Sequence, residues 1–181
     1  MQFLETKVHG AFTIDLKRIV DERGFFARQW CQEQLAARGL CDHIAQINTG
    51  VSTRAGTLRG MHYQEAPHAE VKIAHCPRGA VYDVVVDLRP ESPTYCLWHG
   101  VELSGDNCRA LYVPEGCAHG YLTLADDTVL TYVTSRPYAP GAAKGVRHDD
   151  PAFRIEWPGK AQIVSDADLE WPAFSIRSQR A

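Results

Sequence analysis

An all-β protein, a sandwich or barrel, is predicted by three observations on this sequence. Eight short β-prone runs follow one another between Ile44 and Thr134, turn signals separate them at near-regular spacing, and a single stretch, Cys31 to Arg38, has the composition of a helix. With 181 residues and 45% hydrophobic content, the chain is sized for one domain over residues 1–181 with an ample core.

The first elements lie between Ala11 and Trp30, where two strand-like runs flank Asp21-Glu22-Arg23-Gly24, a turn closed by glycine. Cys31 to Arg38 is rich in Gln, Glu, Leu and Ala, which favour helix, and Gly39 is placed to stop it. Ile44–Asn48, Thr57–Gln64, Glu70–Cys76 and Ala80–Asp87 then read as strands, the last two divided by Arg78-Gly79. Cys96–Leu103 follows the break Arg89-Pro90-Glu91-Ser92-Pro93, and Ala110–Pro114 follows the turn Ser104-Gly105-Asp106-Asn107. Gly120–Leu124 and Val129–Thr134 complete the set, joined through Asp126-Asp127. The tail from Pro151, with Trp157-Pro158 and Trp171-Pro172, is irregular and is expected to wrap the barrel.

A net charge of −3 argues against a general nucleic-acid or membrane-surface binder, which needs a basic face. Any anionic ligand must be met by a few local arginines and lysines. Met1 to Gly10 has no apolar signal core and no run is long enough to span a bilayer, so a cytoplasmic location is expected. The six cysteines lack close paired spacing and sit mostly inside apolar runs, so they read as reduced, buried thiols. Nothing around Cys117 identifies a partner base for a nucleophile.

The stretch Gly56-Thr57-Leu58-Arg59-Gly60-Met61-His62-Tyr63-Gln64 carries the first chemistry. Strict alternation would put Leu58, Gly60, His62 and Gln64 on one face and Arg59, Met61 and Tyr63 on the other; a bulge beside Gly60 would bring Arg59 and His62 towards one cavity. Alone, a strand histidine reads as structural. Its company changes that: Lys72, His119 and Tyr132 follow on further strand-like runs, a set able to remove, place and stabilise protons.

Pro114-Glu115-Gly116-Cys117-Ala118-His119 resembles the second cupin motif, in which Pro and Gly shape a turn that aims the histidine into a barrel. In metal cupins that histidine is a ligand, which raises a site of His62, His75 and His119. The first motif's His-x-His pair is missing, since Tyr63 and Gln64 follow His62, so no metal is expected.

A wider resemblance covers nearly the whole chain. Asp21 to Phe26, Gln46 with Asn48, Gly56 to Gln64, Pro67-His68, Lys72, Gly79 to Val84, Asp87-Leu88-Arg89, Ser92-Pro93-Thr94, Tyr112 to Gly116, Ala118-His119-Gly120, Tyr138-Ala139-Pro140 and Asp150-Pro151 with Ile155 to Pro158 resemble the dTDP-4-dehydrorhamnose 3,5-epimerase family. The resemblance implies a cupin-type jelly roll with one short helix near the N-terminus and an irregular C-terminal tail, acting without metal or organic cofactor as a homodimer with exchanged N-terminal strands. Its substrate would be a nucleotide-linked 4-keto-6-deoxy sugar, inverted at C3, C5 or both. By position in the family motifs, His62 would be the base, Asp168 its orienting partner, Lys72 the cation near the ketone oxygen and Tyr132 the acid on the opposite face. Substrate binding would fall to Arg23, Phe26, Arg28, Gln46, Asn48, Arg59, His75, His119 and Tyr138, with the first residues of that set around the nucleotide.

On the residues alone, other readings stand beside these. Lys72 reads as a solvated strand lysine, Tyr132 as a core aromatic, Asp168 as a cap, Arg28 as a solvent-facing partner of Glu33 and Asn48 as a turn former. A sugar-nucleotide binding protein without turnover and a metal-dependent cupin isomerase or oxygenase are the rival functions. Several positions also depart from the family pattern: His75 stands where an Arg is usual, Gly50 where Ser is common, Cys117 in place of an aromatic, and His148-Asp149 in place of Trp-Asn. These departures are expected to widen the site or reduce the number of centres inverted. Arg28 replaces a common Glu, and having donors only it cannot accept the N3 hydrogen of thymine, so a cytosine or guanine nucleotide is an open alternative to dTDP.

Overall fold

Alternation along the strands sorts their side chains into three apolar layers, and that sorting positions the site. In the computed structural model, which describes residues 1–175, the chain runs through β1 (Gln2–Glu5), β2 (Phe12–Asp15), β3 (Arg18–Asp21), β4 (Gly24–Ala27), α1 (Gln32–Ala36), β5 (Gln46–Ser52), β6 (Leu58–Gln64) and β7 (Lys72–Arg78). It continues through β8 (Ala80–Asp87), β9 (Trp98–Ser104), β10 (Arg109–Val113), β11 (Cys117–Thr123), β12 (Thr128–Thr134), β13 (Ala143–Gly145) and α2 (Asp166–Leu169). A six-stranded sheet in the order β1-β2-β10-β7-β12-β5 faces a five-stranded sheet in the order β13-β6-β11-β8-β9, and β3 and β4 form a separate hairpin. This is the cupin-type jelly roll expected, with neighbouring strands antiparallel.

Between the sheets, Ala74 and Cys76 of β7, Val81 and Val85 of β8, Leu111 of β10 and Leu130 of β12 form the inner layer. Ile73, Leu35 of α1 and Ile14 of β2 form a second layer on the outside of the six-stranded sheet. Val84, Val86 and Ala118 point the other way, where the tail covers them with Phe153, Trp157 and Phe174. The tail therefore lies on the outer face of the five-stranded sheet, as its irregular composition suggested.

Three differences from the sequence expectations have local causes. The helix spans only Gln32–Ala36, and the chain turns out of it at Gly39, whose φ of 67° is left-handed. Strand β11 begins at Cys117 rather than Gly120 and every residue in it is buried, so it shows no alternation to read. The short elements β1, β13 and α2 were not foreseen; each is four residues or fewer and is held by its neighbours rather than by its own propensity.

Candidate active site

The opening between the sheets is a cavity of about 890 Å³. Strand β6 supplies Arg59 and His62 to it because the strand changes phase between them. Opposite β11, His119 pairs with His62 while Tyr121 pairs with Arg59, so β6 holds one extra residue there. The bulge lets Arg59 and His62, three apart in sequence, both line the cavity, and it turns Met61 into the layer beneath the tail. Gly60 is required at this point: its φ is 130°, and a Cβ would lie 2.5 Å from the Gly120 Cα.

His62 is half-exposed to the cavity, and its Nε2 lies 2.5 Å from Asp168 Oδ1. Asp168 reaches it from α2, whose first turn is capped by the Ser165 hydroxyl accepting the Asp168 N–H. The second oxygen of Asp168 accepts the Gly60 N–H at 3.3 Å. Burial opposes ionisation of Asp168, but the His62 hydrogen bond and charge, helped by Gly60 and Ser165, outweigh it and hold the carboxyl below its ordinary value. An ionised Asp168 can only accept, which assigns a proton to His62 Nε2 and makes Nδ1 the nitrogen able to take up a proton in the neutral ring.

Across the cavity stand Lys72 of β7 and Tyr132 of β12, both in the six-stranded sheet. Lys72 is only 8% exposed, which removes the reading of a solvated lysine; its Nζ donates to Glu70 Oε1 at 3.1 Å and to the His62 carbonyl at 3.2 Å. Burial raises the pKa of Tyr132, the Glu70 charge adds to the rise, and Arg59 opposes it. His119 also reaches the cavity wall, but its Nε2 is turned to the fully buried Asp83 at 2.8 Å. Gln46 and Asn48 line the β5 side, and the Gln46 side-chain oxygen accepts the backbone N–H of Tyr138, itself a lining residue.

Four expected binding residues do not line this cavity. Arg23 is held by Asp21 on the tip of the β3–β4 hairpin, and Phe26 on the same hairpin is 64% exposed. Arg28 sits just beyond that hairpin, beside Lys17 and Gln34. His75 differs from expectation most simply: it lies three residues after Lys72, so the pleat directs it to the other face, in a groove it shares with Leu16 and Phe25. There, burial lowers its pKa. Cys117 is also absent from the lining; it is buried beside Asp87, with its thiol pushed up to about 12 by burial, so it neither widens the cavity nor offers a thiolate. Gly50 does line the cavity, but a Cβ there would meet the Tyr121 hydroxyl at 2.9 Å, so Tyr121 occupies the space that a larger residue would take.

Sequence reading missed Glu70, Tyr121, Lys144 and Trp171 as cavity residues. Glu70 had a usable signal, since it stands two residues before Lys72 and shares its strand phase. Among the described residues no group of three or more His, Cys, Asp or Glu is arranged to hold a metal ion. His75 faces away from His62 and His119, so the three histidines do not converge.

Comparison with known proteins gives a consistent result. The family model described as dTDP-4-dehydrorhamnose 3,5-epimerase matches residues 5–175. The dTDP-4-dehydrorhamnose 3,5-epimerase of Shigella flexneri is 38% identical over 175 residues, which span 96% of this chain and 96% of that protein. The crystal structure of dTDP-4-dehydrorhamnose 3,5-epimerase from Bacillus anthracis, with TDP and PPi bound, has a TM-score of 0.92 at 38% identity and covers 96% of this chain and 99% of that one. ChmJ, a 3'-monoepimerase from Streptomyces bikiniensis in complex with dTDP-quinovose, has a TM-score of 0.86 at 35% identity, covering 93% of this chain and 85% of that one.

Proposed function

The chain belongs to the dTDP-4-dehydrorhamnose 3,5-epimerase family, and from that premise we propose that it epimerises C3, C5 or both of a nucleotide-linked 4-keto-6-deoxyhexose. The observation that carries the reading is the pairing of His62 with Asp168 on one wall of the cavity and the position of Tyr132 and Lys72 on the other. Inversion needs a base on one side of the sugar ring and an acid on the opposite side. A single histidine would remove and return the proton on the same side.

The hydrogens on C3 and C5 lie α to the C4 ketone, so removing one leaves an enolate whose charge rests on the C4 oxygen. His62 Nδ1 takes that proton, and Asp168 stabilises the imidazolium that results. The Lys72 ammonium offsets the charge on the oxygen. Tyr132 then delivers its hydroxyl proton to the carbon from the opposite side, and the phenolate left behind is refilled from solvent. The phenol is protonated at neutral pH, and its raised pKa, caused chiefly by burial, extends that state to higher pH. Arg59 meets the diphosphate as a permanent cation in a chain of net charge −3.

The nucleotide end depends on a second copy of the chain. The β3–β4 hairpin, with Arg23 and Phe26, lies outside its own cavity, and in a homodimer with exchanged N-terminal strands it serves the cavity of the other copy. Arg28 belongs to the same segment; lacking an acceptor, it relaxes the choice of base, so cytosine and guanine nucleotides compete with thymine ones.

Incubating dTDP-linked 4-keto-6-deoxyglucose with the purified protein and following ring-proton couplings by NMR tests the function. An epimer formed at full rate in chelator is expected. A product with the carbonyl moved would indicate a ketoisomerase, and binding without any product would indicate a sugar-nucleotide carrier.

A further inference from the structure

Glu70 carries an arrangement that the mechanism above leaves unused. Its side chain and that of Lys72 are each about nine-tenths buried, and both line the cavity. A carboxylate removed from water needs donors for its oxygens, and here each oxygen has one: Lys72 Nζ at 3.1 Å from Oε1, and the Gln64 side-chain amide nitrogen at 2.6 Å from Oε2. The orientation of that amide is fixed from its other end. Gln64 Oε1 accepts the Ala139 backbone N–H at 2.6 Å, so its NH₂ must face Glu70, the His68 carbonyl and the Pro137 carbonyl. Two donors converging on Glu70 suit the ionised carboxylate.

The same arrangement limits Lys72. An ammonium has three N–H groups; one goes to Glu70 and one to the His62 carbonyl. Resting on the epimerase reading, we infer that Glu70 is a positioning residue for the reaction: clamped by Gln64, it holds the Lys72 ammonium so that its one remaining N–H faces the ketone oxygen of a nucleotide-linked 4-keto sugar. A lysine has four rotatable bonds, and without such an anchor its charge would be spread over several rotamers rather than held at the developing oxyanion. Glu70 makes no contact with the reacting atoms itself. Its charge also disfavours the Tyr132 phenolate, which keeps that acid loaded.

The charged and titratable groups facing this pair are Arg59 and His62 on β6, His119 and Tyr121 on β11, Tyr132 on β12, Lys144 on β13 and Asp168 on α2. Tyr63 and Tyr138 face the same space. All of them persist in a Glu70→Gln variant, so a comparison with the parent chain isolates the carboxylate.

The test is the rate against pH of dTDP-linked 4-keto-6-deoxyglucose epimerisation by the parent and by Glu70→Gln, with dTDP affinity and melting temperature measured alongside. The expected result is a kcat lower by about 10- to 100-fold, with KM and dTDP affinity held within about threefold and melting temperature preserved. Burial is the larger cause of the raised Tyr132 pKa and the Glu70 charge the smaller, so loss of that charge weakens proton retention by Tyr132. The alkaline limb of the profile is therefore expected to move to lower pH. A variant with parental kcat and an unmoved alkaline limb overturns the inference. Parallel loss of kcat, dTDP affinity and melting temperature also overturns it, by making Glu70 merely structural. A parent chain that binds dTDP without turnover removes the epimerase reading and this inference together, an outcome distinct from the other two.

Discussion

His62 can serve as a base only if one ring nitrogen is held and the other left open, and Asp168 provides the hold from α2 at 2.5 Å. Asp168→Asn retains the shape but removes the charge that stabilises an imidazolium. Steady-state kinetics on this variant are expected to show kcat reduced by about 10²- to 10⁴-fold with the fold intact by circular dichroism; a loss below about threefold would deny Asp168 its role. His62, Lys72, Tyr132 and Asp168 were singled out by their positions in the family resemblance, and all four line one cavity; on the residues alone Lys72 read as solvated, Tyr132 as a core aromatic and Asp168 as a cap. Strand parity, applied one step further, would have added Glu70, two residues before Lys72, and removed His75, three residues after it. Cys117 was misjudged for a different reason: its neighbours in sequence belong to the site, but its side chain packs towards Asp87.

At the level of elements, β6 decides the site. The position of the bulge could be anticipated from Gly60, since only a phase change brings Arg59 and His62 to one side. Its tightness could not, because it comes from Gly120 on another strand. A methyl at residue 60 would meet the Gly120 Cα at 2.5 Å in a left-handed backbone. Gly60→Ala is expected to destabilise the protein by about 2–4 kcal/mol in urea unfolding. Gly141→Ala, where no atom lies within 4 Å of the new methyl, is expected to be nearly neutral and serves as the control. Equal effects at the two positions would contradict this account of β6. The element carrying Asp168, α2, and the strand β13 that pairs with β6 beside His62 were not legible, since three- and four-residue segments are stable only through what they pack against. Gly145 shows this: its Cα pairs with His62, and Trp171 lies so close that a Cβ would sit 2.3 Å from the indole.

For the molecule as a whole, the β3–β4 hairpin is the part a single chain does not explain. A two-stranded ribbon is marginal alone, and this one exposes Val20 and Phe25 on one cross-strand pair and Ile19 and Phe26 on the next. Edge strand β5 exposes Ile47 and Val51 as well. Sedimentation equilibrium is expected to find two chains per particle. The double variant Val20→Ser with Phe26→Ser, which strikes both faces of the ribbon, is expected to dissociate and to bind dTDP at least about tenfold more weakly. A variant that stays dimeric with unchanged affinity would separate the hairpin from both roles. The all-β class, a sandwich or barrel, was readable from strand spacing and turn chemistry, and the jelly roll from family resemblance. A two-chain assembly is expected from family resemblance alone, because exposed apolar residues on a hairpin look in sequence like any other strand pair.

The central claim is that two groups act on opposite sides of one sugar carbon. It is tested most directly by proton NMR of dTDP-linked 4-keto-6-deoxyglucose in deuterium oxide, with the parent chain beside His62→Ala and Tyr132→Phe. The parent is expected to exchange C3 or C5 hydrogen for deuterium and to form the epimer. His62→Ala should abolish both processes, and Tyr132→Phe should retain exchange while losing most of the inversion. Full inversion by Tyr132→Phe, or exchange that persists in His62→Ala, would contradict the account.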